Sequence, residues 1–151
     1  MVSKNFFDNH LGALIECVNF ASDEIMQIYN SESFDQEEKS DGSPLTIADK
    51  KSNEIILNSL EKISKDISII SEETFSEDLI KSLDQTYWLV DPLDGTKEFI
   101  NKTGEFTVNI AMINNKKVVF GIVGAPVTRK IWHGSIFEDV QSQNNSCDKL
   151  R

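Results

Sequence analysis

The stretch YWLVDPLDGTKEF, residues 87–99, runs from an apolar segment straight into turn-forming residues. Tyr-Trp-Leu-Val is typical of a buried β-strand. The simplest interpretation of Asp-Pro-Leu-Asp-Gly is a turn, because Pro92 fixes its own φ angle and Gly95 accepts a positive one. That interpretation does not explain why two carboxylates, Asp91 and Asp94, stand at the end of a core strand.

The composition is that of one acidic domain. The chain has 151 residues, of which 39% are hydrophobic, and a net charge of −10. It has no basic stripe, which argues against a nucleic-acid-binding protein. It also lacks a segment of about 20 apolar residues that would cross a membrane. Because Cys17 and Cys147 have no metal-like spacing, we expect a reducing, cytoplasmic location.

Hydrophobic periodicity predicts two N-terminal helices. A second helix is expected over residues 45–64, and residues 31–44 before it are expected to form a polar loop or loose hairpin. The first helix has an apolar face that repeats every three or four positions. This face comprises Phe7, Leu11, Leu14, Val18, Ala21, Ile25 and Ile28.

Short apolar runs predict five strands after these helices. They lie at residues 67–73, 87–91, 105–113, 117–126 and 129–134, with a tight turn at Asn114-Asn115. The run 117–126 is apolar on both faces, so it should be central in a covered sheet. Residues 133–151 show little periodicity and are predicted to form an irregular tail. The expected fold is α+β, with two helices packed on a largely antiparallel sheet.

Three carboxylates fall where predicted strands end. Glu72 and Asp91 each follow an apolar run, and Asp94 comes shortly after Asp91. If the two strands are neighbours, a tight loop can aim these side chains and the Leu93 carbonyl at one point. Hard oxygen ligands of this kind favour Mg²⁺. Without a cation, the cluster would repel itself.

Gly95 and Thr96 come next, at the start of a predicted helical turn. Free N–H groups at a helix start bind phosphate oxygens, and the Thr96 hydroxyl is placed to hold a water molecule. A Gly95→Val change is expected to block phosphate while leaving the fold mostly intact. Asp49 also lies near a helix start, where an aspartate by itself indicates an N-cap.

Three ordered motifs carry a resemblance to a known family. SPLTIAD at 43–49, SEE at 71–73 and WLVDPLDGTKEF at 88–99 resemble the lithium-sensitive, magnesium-dependent phosphatase superfamily of inositol monophosphatases. Lys-Glu-Phe after Asp-Gly-Thr is similar to the CysQ branch, the 3'(2'),5'-bisphosphate nucleotidases, whereas inositol monophosphatases more often have Thr-Asn-Phe. GEFTVNIAMI and GIVGAPV extend the similarity, which covers roughly residues 39–130.

The resemblance implies a role for each matching residue. Glu72, Asp91 and the Leu93 carbonyl would hold a first Mg²⁺, and Asp91 would bridge to a second, shared with Asp94. The catalytic residues would be Asp49, Glu72 and Thr96: Glu72 and Thr96 would position the attacking water, and Asp49 would orient the Thr96 hydroxyl. Substrate contacts would come from Glu72, Leu93, Asp94, Gly95 and Thr96.

The implied reaction converts 3'-phosphoadenosine 5'-phosphate to AMP and phosphate, in sulfate assimilation or nucleotide salvage. The alternative within the family is an inositol or sugar monophosphatase. The resemblance also allows peripheral association with the inner face of the membrane.

Family members are longer than this chain, and their second half supplies a further aspartate in a Trp-Asp motif. Here Trp88 precedes Leu and Trp132 precedes His, so the second metal site is incomplete. The expected organisation is an N-terminal metal-binding part over 1–132 and a tail over 133–151, with the C-terminal half absent through a truncated or split gene. Expected partners are a separately encoded C-terminal half or a second copy in a homodimer; a non-catalytic remnant is the alternative from another class.

Overall fold

A computed structural model of the chain describes residues 2–31, 36–39 and 44–144. The helices are α1 (Lys4–Tyr29), α2 (Ile47–Ile63), α3 (Glu77–Lys81) and α4 (Thr96–Ile100). The strands are β1 (Gln36–Glu38), β2 (Pro44–Thr46), β3 (Ser68–Ser71), β4 (Thr86–Asp94), β5 (Thr107–Asn114), β6 (Lys117–Ala125), β7 (Lys130–Ser135) and β8 (Glu138–Asn144). A 3-10 turn, Glu72–Thr74, comes directly after β3.

The main sheet has six strands in the order β3-β4-β5-β6-β7-β8. The pair β3–β4 is parallel, and the other neighbouring strands are antiparallel. The helices α1 and α2 pack on one face, which confirms the predicted α+β fold. The strands β1 and β2 form a separate antiparallel pair. Leu45 and Thr46 of β2 were predicted to begin the second helix, which starts at Ile47 instead. The strand β1 lies within the loop or loose hairpin predicted over residues 31–44. Residues 32–35 and 40–43 of that prediction lie outside the described residues.

The predicted apolar face of α1 faces the sheet. Its central residues are buried, and its edge residues Leu11 and Ile28 are partly buried against the same core. The helix begins at an N-cap, where the Ser3 hydroxyl accepts a hydrogen bond from the Phe6 N–H at 3.1 Å. Neither α1 nor another helix in the described part of the chain has the length and apolar character to cross a lipid bilayer.

Residues 133–144 do not form the predicted irregular tail. They belong to β7 and β8, which pair antiparallel from Lys130 opposite Asn144 to Ser135 opposite Glu138. The prediction was wrong because β8 is an edge strand whose residues are all exposed. Backbone hydrogen bonds to β7 hold this strand in place. Because neither of its faces is buried, its sequence shows no alternation of apolar and polar residues. Residues 145–151 of the predicted tail lie outside the described residues.

The turn between β5 and β6 is shifted by one residue from the prediction. Its central residues are Asn115 and Lys116, both with positive φ, at 50° and 66°, as a two-residue hairpin of type I′ requires. Asn114 belongs to β5 and pairs with Lys117. It stays in the strand partly because its side chain accepts a hydrogen bond from the Thr86 hydroxyl at 2.9 Å.

The sheet face opposite α1 and α2 is apolar and open. Strand alternation turns Trp88 toward the helices and Tyr87 and Leu89 away from them, and Leu89 is 44% exposed. A cleft of about 720 Å³ lies on this face. It is lined by Ile70, Glu72, Phe75, Ile80, Leu83, Tyr87, Leu89, Val90, Asp91, Asn109, Ile110, Ala111, Gly121, Ile122 and Val123. In the described residues β6 is therefore an interior strand of the sheet, as predicted. However, α1 and α2 cover only one face of the sheet, not both.

Stability should depend on the absence of a side chain at Gly124. A Cβ atom there would lie 2.4 Å from Cγ1 of Val18, where α1 crosses β6. Val18 is fully buried and stiff at χ1, so it has little room to move. We expect Gly124→Ala to destabilise the chain by about 1–3 kcal/mol, measured by thermal or urea unfolding.

Gly121→Ala is the matched control, because a Cβ at Gly121 on the same strand meets no atom within 4 Å. Equal stability of the two variants would show that α1 does not pack on β6 this closely.

Candidate active site

A β-bulge in β4 brings Asp91 and Asp94 to the same side. Asp91 pairs with Asn109, but the next pair is Asp94 with Thr107, so β4 carries one extra residue here. In a regular strand, residues three apart point to opposite faces. Pro92, which lacks an N–H, is tolerated at such an interruption. The bulge is therefore the local reason that two carboxylates share one cleft.

Glu72 reaches this cleft because β3 and β4 run parallel. Ser71 pairs with Val90, so the carboxyl ends of both strands lie at the same edge of the sheet. Glu72 comes next in the 3-10 turn, where the Ser71 hydroxyl accepts a hydrogen bond from the Glu73 N–H at 3.3 Å. Its side chain is 52% exposed and lies close enough to the Asp91 carboxyl group to raise the pKa of Asp91.

The electrostatics of the cluster are those of crowded carboxylates. The pKa of Asp91 is raised from 3.8 to about 7, first by burial and then by the hydrogen bond with Glu72 and the charges of Glu72 and Asp94. The Leu93 N–H, which donates to Asp91 at 3.3 Å, opposes this shift in pKa. Asp94 accepts a hydrogen bond from the Asn109 amide at 3.2 Å.

The cluster suits a hard divalent cation by its donor set. Carboxylate oxygens and a nearby backbone carbonyl are ligands that Mg²⁺ accepts. The raised pKa of Asp91, caused first by burial and then by Glu72 and Asp94, marks a carboxylate whose charged form a cation would stabilise. In the described residues, no three Asp, Glu, His or Cys side chains already stand at ligand spacing around one point. The assignment of Glu72, Asp91, Leu93 and Asp94 as metal ligands therefore stays a prediction.

The carboxylates line a cleft of about 250 Å³ together with the start of α4. Its lining residues are Lys39, Glu72, Asp91, Leu93, Asp94, Gly95, Thr96, Lys97 and Glu98. Seven of these lie in the stretch from Asp91 to Glu98, in or beside the DPLDG motif. Glu72 and Asp91 also line the open apolar face, so the two surfaces are continuous.

Lys39 is a cleft residue to which the sequence analysis assigned no role. Its ammonium group lies 2.8 Å from the Glu73 carboxylate and 3.5 Å from that of Glu72. Burial raises the pKa of Glu73, and the Lys39 contact opposes that rise. A lone lysine in the acidic run before the SPLTIAD motif was the available signal. Only the structure shows that it meets the turn after β3.

Asp49 is both a helix-capping residue and a site residue. The N-cap of α2 is Thr46, and Oδ2 of Asp49 closes a capping box by accepting from the Thr46 N–H at 2.8 Å and its hydroxyl at 2.6 Å. Its other oxygen, Oδ1, accepts from the Thr96 hydroxyl at 2.9 Å. The contact predicted between Asp49 and Thr96 is thus present, and Asp49 is fully buried.

The start of α4 presents two N–H groups to the cleft. Gly95 is the N-cap, with φ of 96°, and the Phe99 N–H donates to its carbonyl at 2.9 Å. Among the described residues, neither the Gly95 nor the Thr96 N–H has a hydrogen-bond partner in the protein. Both residues line the cleft. This geometry is suited to binding an anion.

The expectation that Gly95→Val leaves the fold intact is wrong. A Cβ at Gly95 would lie 2.8 Å from the Glu105 carbonyl oxygen and 3.3 Å from the Phe106 Cα. The positive φ adds strain for a β-branched residue. The substitution would therefore distort the loop itself, and it cannot serve as a clean probe of phosphate binding.

Comparison with known proteins places this geometry in a family context. The sequence matches the model of the inositol monophosphatase family over residues 8–150. It is 45% identical over 116 residues to 3'(2'),5'-bisphosphate nucleotidase CysQ of Salmonella typhimurium, covering 76% of this chain and 47% of that protein. For the protein of the same name in Escherichia coli K12, the identity is 46% over 108 residues, with 71% and 44% covered. The chain spans less than half the length of these curated relatives.

Solved structures show the same fold. CysQ from Bacteroides thetaiotaomicron superposes with a TM-score of 0.77 at 36% identity, covering 92% of this chain and 50% of that one. An inositol monophosphatase from Thermotoga maritima superposes with a TM-score of 0.78 at 20% identity, covering 94% and 55%. At 20% identity the likeness shows the fold alone.

The crowding of carboxylates should destabilise the metal-free chain in a pH-dependent way. The raised pKa of Asp91 means that the folded chain holds a proton that the unfolded chain loses between about pH 4 and 7, so stability should fall as the pH rises through this interval. Asp91→Asn should therefore raise the melting temperature at pH 8, by about 2–4 °C for roughly 1 kcal/mol. The gain should shrink at pH 5.

Asp84→Asn, which removes an exposed carboxylate outside the cleft, controls for the change in net charge. An equal effect of both variants at pH 8 would contradict the clustering of Glu72, Asp91 and Asp94.

Proposed function

Because the chain belongs to the inositol monophosphatase family, we propose that it carries the metal- and phosphate-binding half of a Mg²⁺-dependent phosphatase. The proposed reaction removes the 3'-phosphate of 3'-phosphoadenosine 5'-phosphate and yields AMP and phosphate. The observation that carries the proposal is the convergence of Glu72, Asp91 and Asp94 on the same cleft as the unpartnered N–H groups of Gly95 and Thr96. One pocket would thus offer both cation ligands and N–H donors to an anion.

The proposed ligands divide into two sets. Glu72, Asp91 and the Leu93 carbonyl would hold one Mg²⁺, and Asp91 with Asp94 would hold part of a second site. Bound Mg²⁺ supplies charge neutralisation of the phosphate oxygens, activation of water and stabilisation of the leaving oxygen. The bulge prepares this arrangement by keeping Asp91 and Asp94 on one side of β4.

The chain's own residues would orient the phosphate and the attacking water. The N–H groups of Gly95 and Thr96 would donate to phosphate oxygens, as helix starts do. The Thr96 hydroxyl donates its hydrogen bond to Asp49. Its oxygen would therefore accept a hydrogen bond from a water molecule in the cleft. Glu72, which is half exposed, would accept the other hydrogen bond of that water molecule. Water held between these groups is aimed at a phosphate on the two N–H groups, which is catalysis by positioning.

The choice of a bisphosphate nucleotide rests on the relatives. The curated relatives from Salmonella typhimurium and Escherichia coli are named as 3'(2'),5'-bisphosphate nucleotidases, and Lys97 and Glu98, which distinguish this branch in sequence, line the cleft. An inositol or sugar monophosphatase is the alternative substrate class. A cytoplasmic location with peripheral association at the membrane belongs to the same proposal and rests on family resemblance.

The open apolar face favours a half-enzyme that needs a partner. In water, an antiparallel sheet face usually carries polar residues, whereas this face offers an apolar cleft of about 720 Å³. Because the relatives are about twice as long, we propose that the remainder of their fold, on the same or a separate polypeptide, covers it. Glu72 and Asp91 lie at the margin of this face, so the covering segment would also form one side of the acidic cleft. A homodimer is the competing arrangement, and a non-catalytic remnant the competing function.

The test is phosphate release from 3'-phosphoadenosine 5'-phosphate in Mg²⁺, with inositol 1-phosphate as the competing substrate. The 151-residue chain alone should be at least about 100-fold slower than the chain mixed with the C-terminal half of the Salmonella typhimurium relative, because an ion misplaced by about 1 Å costs this much. Asp94→Asn should abolish the restored activity.

Robust Mg²⁺-dependent turnover by the chain alone, lost in Asp94→Asn, would contradict the half-enzyme proposal while supporting the phosphatase. Absence of turnover in the mixture, with binding of the two halves verified by size-exclusion chromatography, would contradict the phosphatase. Faster release from inositol 1-phosphate would reassign the substrate.

A further inference from the structure

The helix α2 carries a buried polar stripe that faces the candidate site. Asp49, Ser52 and Asn53 are spaced i, i+3 and i+4, so they share one side of the helix. Their exposed fractions are 0%, 0% and 8%. A helix face turned to the core is normally apolar, and buried polar groups are tolerated only when they are hydrogen-bonded. Each of these residues has a partner: Thr96 lines the cleft, and Pro92 and Ser71 are directly next to residues that line it.

Ser52 holds the bulge of β4. Its hydroxyl donates to the carbonyl oxygen of Pro92 at 2.7 Å, in a buried contact. Pro92 lies within the bulge between Asp91 and Asp94, where the regular ladder to β5 is interrupted and a backbone carbonyl needs another partner. Ser52 supplies that partner from another element. The contact sets the orientation of the peptide unit that joins Pro92 to Leu93, and hence of the chain between the two carboxylates.

Asn53 holds the turn that carries Glu72. The Ser71 hydroxyl donates to Oδ1 of Asn53 at 2.5 Å, again in a buried contact. The same hydroxyl accepts from the Glu73 N–H at 3.3 Å, so it caps the 3-10 turn. A rotation of the Ser71 side chain would break this cap, and Asn53 prevents that rotation. Neither Ser52 nor Asn53 lines the cleft itself.

We propose that Ser52 and Asn53 are positioning residues that set the distance between the Asp91–Asp94 loop and Glu72. Two adjacent residues on one rigid helix hold the ends of two parallel strands, β3 and β4, so the carboxylates at the ends of those strands keep a fixed spacing. Asp49, one turn earlier, fixes Thr96 in the same way. The proposal rests on the proposed metal site for its functional meaning and on the two buried contacts for its geometry.

The experiment measures Mn²⁺ binding to the full chain by electron paramagnetic resonance and, on the same variants, the backbone amide signals by nuclear magnetic resonance. Ser52→Ala and Asn53→Ala should each weaken Mn²⁺ binding by about 10-fold, the lower end of the loss seen when a residue that orients a metal ligand is removed. Beyond the α2 residues around each substitution, amide shifts should be confined to residues 93–96 in Ser52→Ala and to residues 72–74 in Asn53→Ala.

Ser59→Ala is the matched control. Ser59 lies on the same helix and donates its hydroxyl to the Ile55 carbonyl at 2.9 Å, but it contacts neither strand end. It should bind Mn²⁺ as the unmodified chain does. Circular dichroism gives the folded fraction of each variant. Ser52→Cys, which is slightly larger and has a weaker donor, replaces Ser52→Ala if that variant does not fold.

Unchanged Mn²⁺ affinity in folded Ser52→Ala and Asn53→Ala would overturn the proposal. If the unmodified chain binds no Mn²⁺, the proposed metal site is contradicted. The amide signals then test separately whether Ser52 and Asn53 position the two strand ends. Amide shifts that, beyond the substituted part of α2, occur only in residues 93–96 or 72–74 support the positioning role. Shifts no larger there than in Ser59→Ala overturn it.

Discussion

The bulge between Asp91 and Asp94 is the constraint on which the candidate site depends. Without the extra residue in β4, two carboxylates three positions apart would point to opposite faces of the sheet. With it, both line one cleft, and α4 begins immediately afterwards at Gly95. The Ser52 hydroxyl donates a hydrogen bond to the Pro92 carbonyl within the bulge. The parallel pairing of β3 with β4 brings Glu72 to the same cleft. The candidate cation ligands Asp91 and Asp94 thus share one cleft because of one irregularity in a strand.

This arrangement lowers the stability of the chain. Burial, together with the neighbouring Glu72 and Asp94, raises the pKa of Asp91 to about 7, a penalty that an exposed turn would avoid. Lys39 offsets part of the negative charge at Glu72 and Glu73. The open apolar face adds a second cost, since it exposes residues such as Leu89 to water. Both features occur at the same edge of the sheet, where a bound cation and a covering segment would relieve them together.

Local patterns in the sequence were sufficient to predict the two long helices, the core strands and the cleft residues around the DPLDG motif. The α1 stripe repeats with the helical period, and apolar runs mark the strands that pack on it. The edge strand β8 was missed because its residues are all exposed, and the effect of Gly95→Val was misjudged because Glu105 approaches from another segment. Ser52 was equally invisible, since its partner Pro92 lies 40 residues away. The Ser52 contact joins segments distant in sequence, whereas β8 pairs with the neighbouring strand β7 and lacks an apolar signature.

The central claim is that Glu72, Asp91 and Asp94 converge to bind a divalent cation at the end of β4. A crystal of the chain grown with Mn²⁺, with diffraction recorded above and below the manganese absorption edge, tests it directly. The account predicts an anomalous peak in the cleft at about 2.1–2.2 Å from oxygens of Glu72 and Asp91 and from the Leu93 carbonyl, the distance expected for a small hard cation. Ordered carboxylates in the cleft without such a peak, or a Mn²⁺ ion bound only elsewhere on the chain, would contradict it.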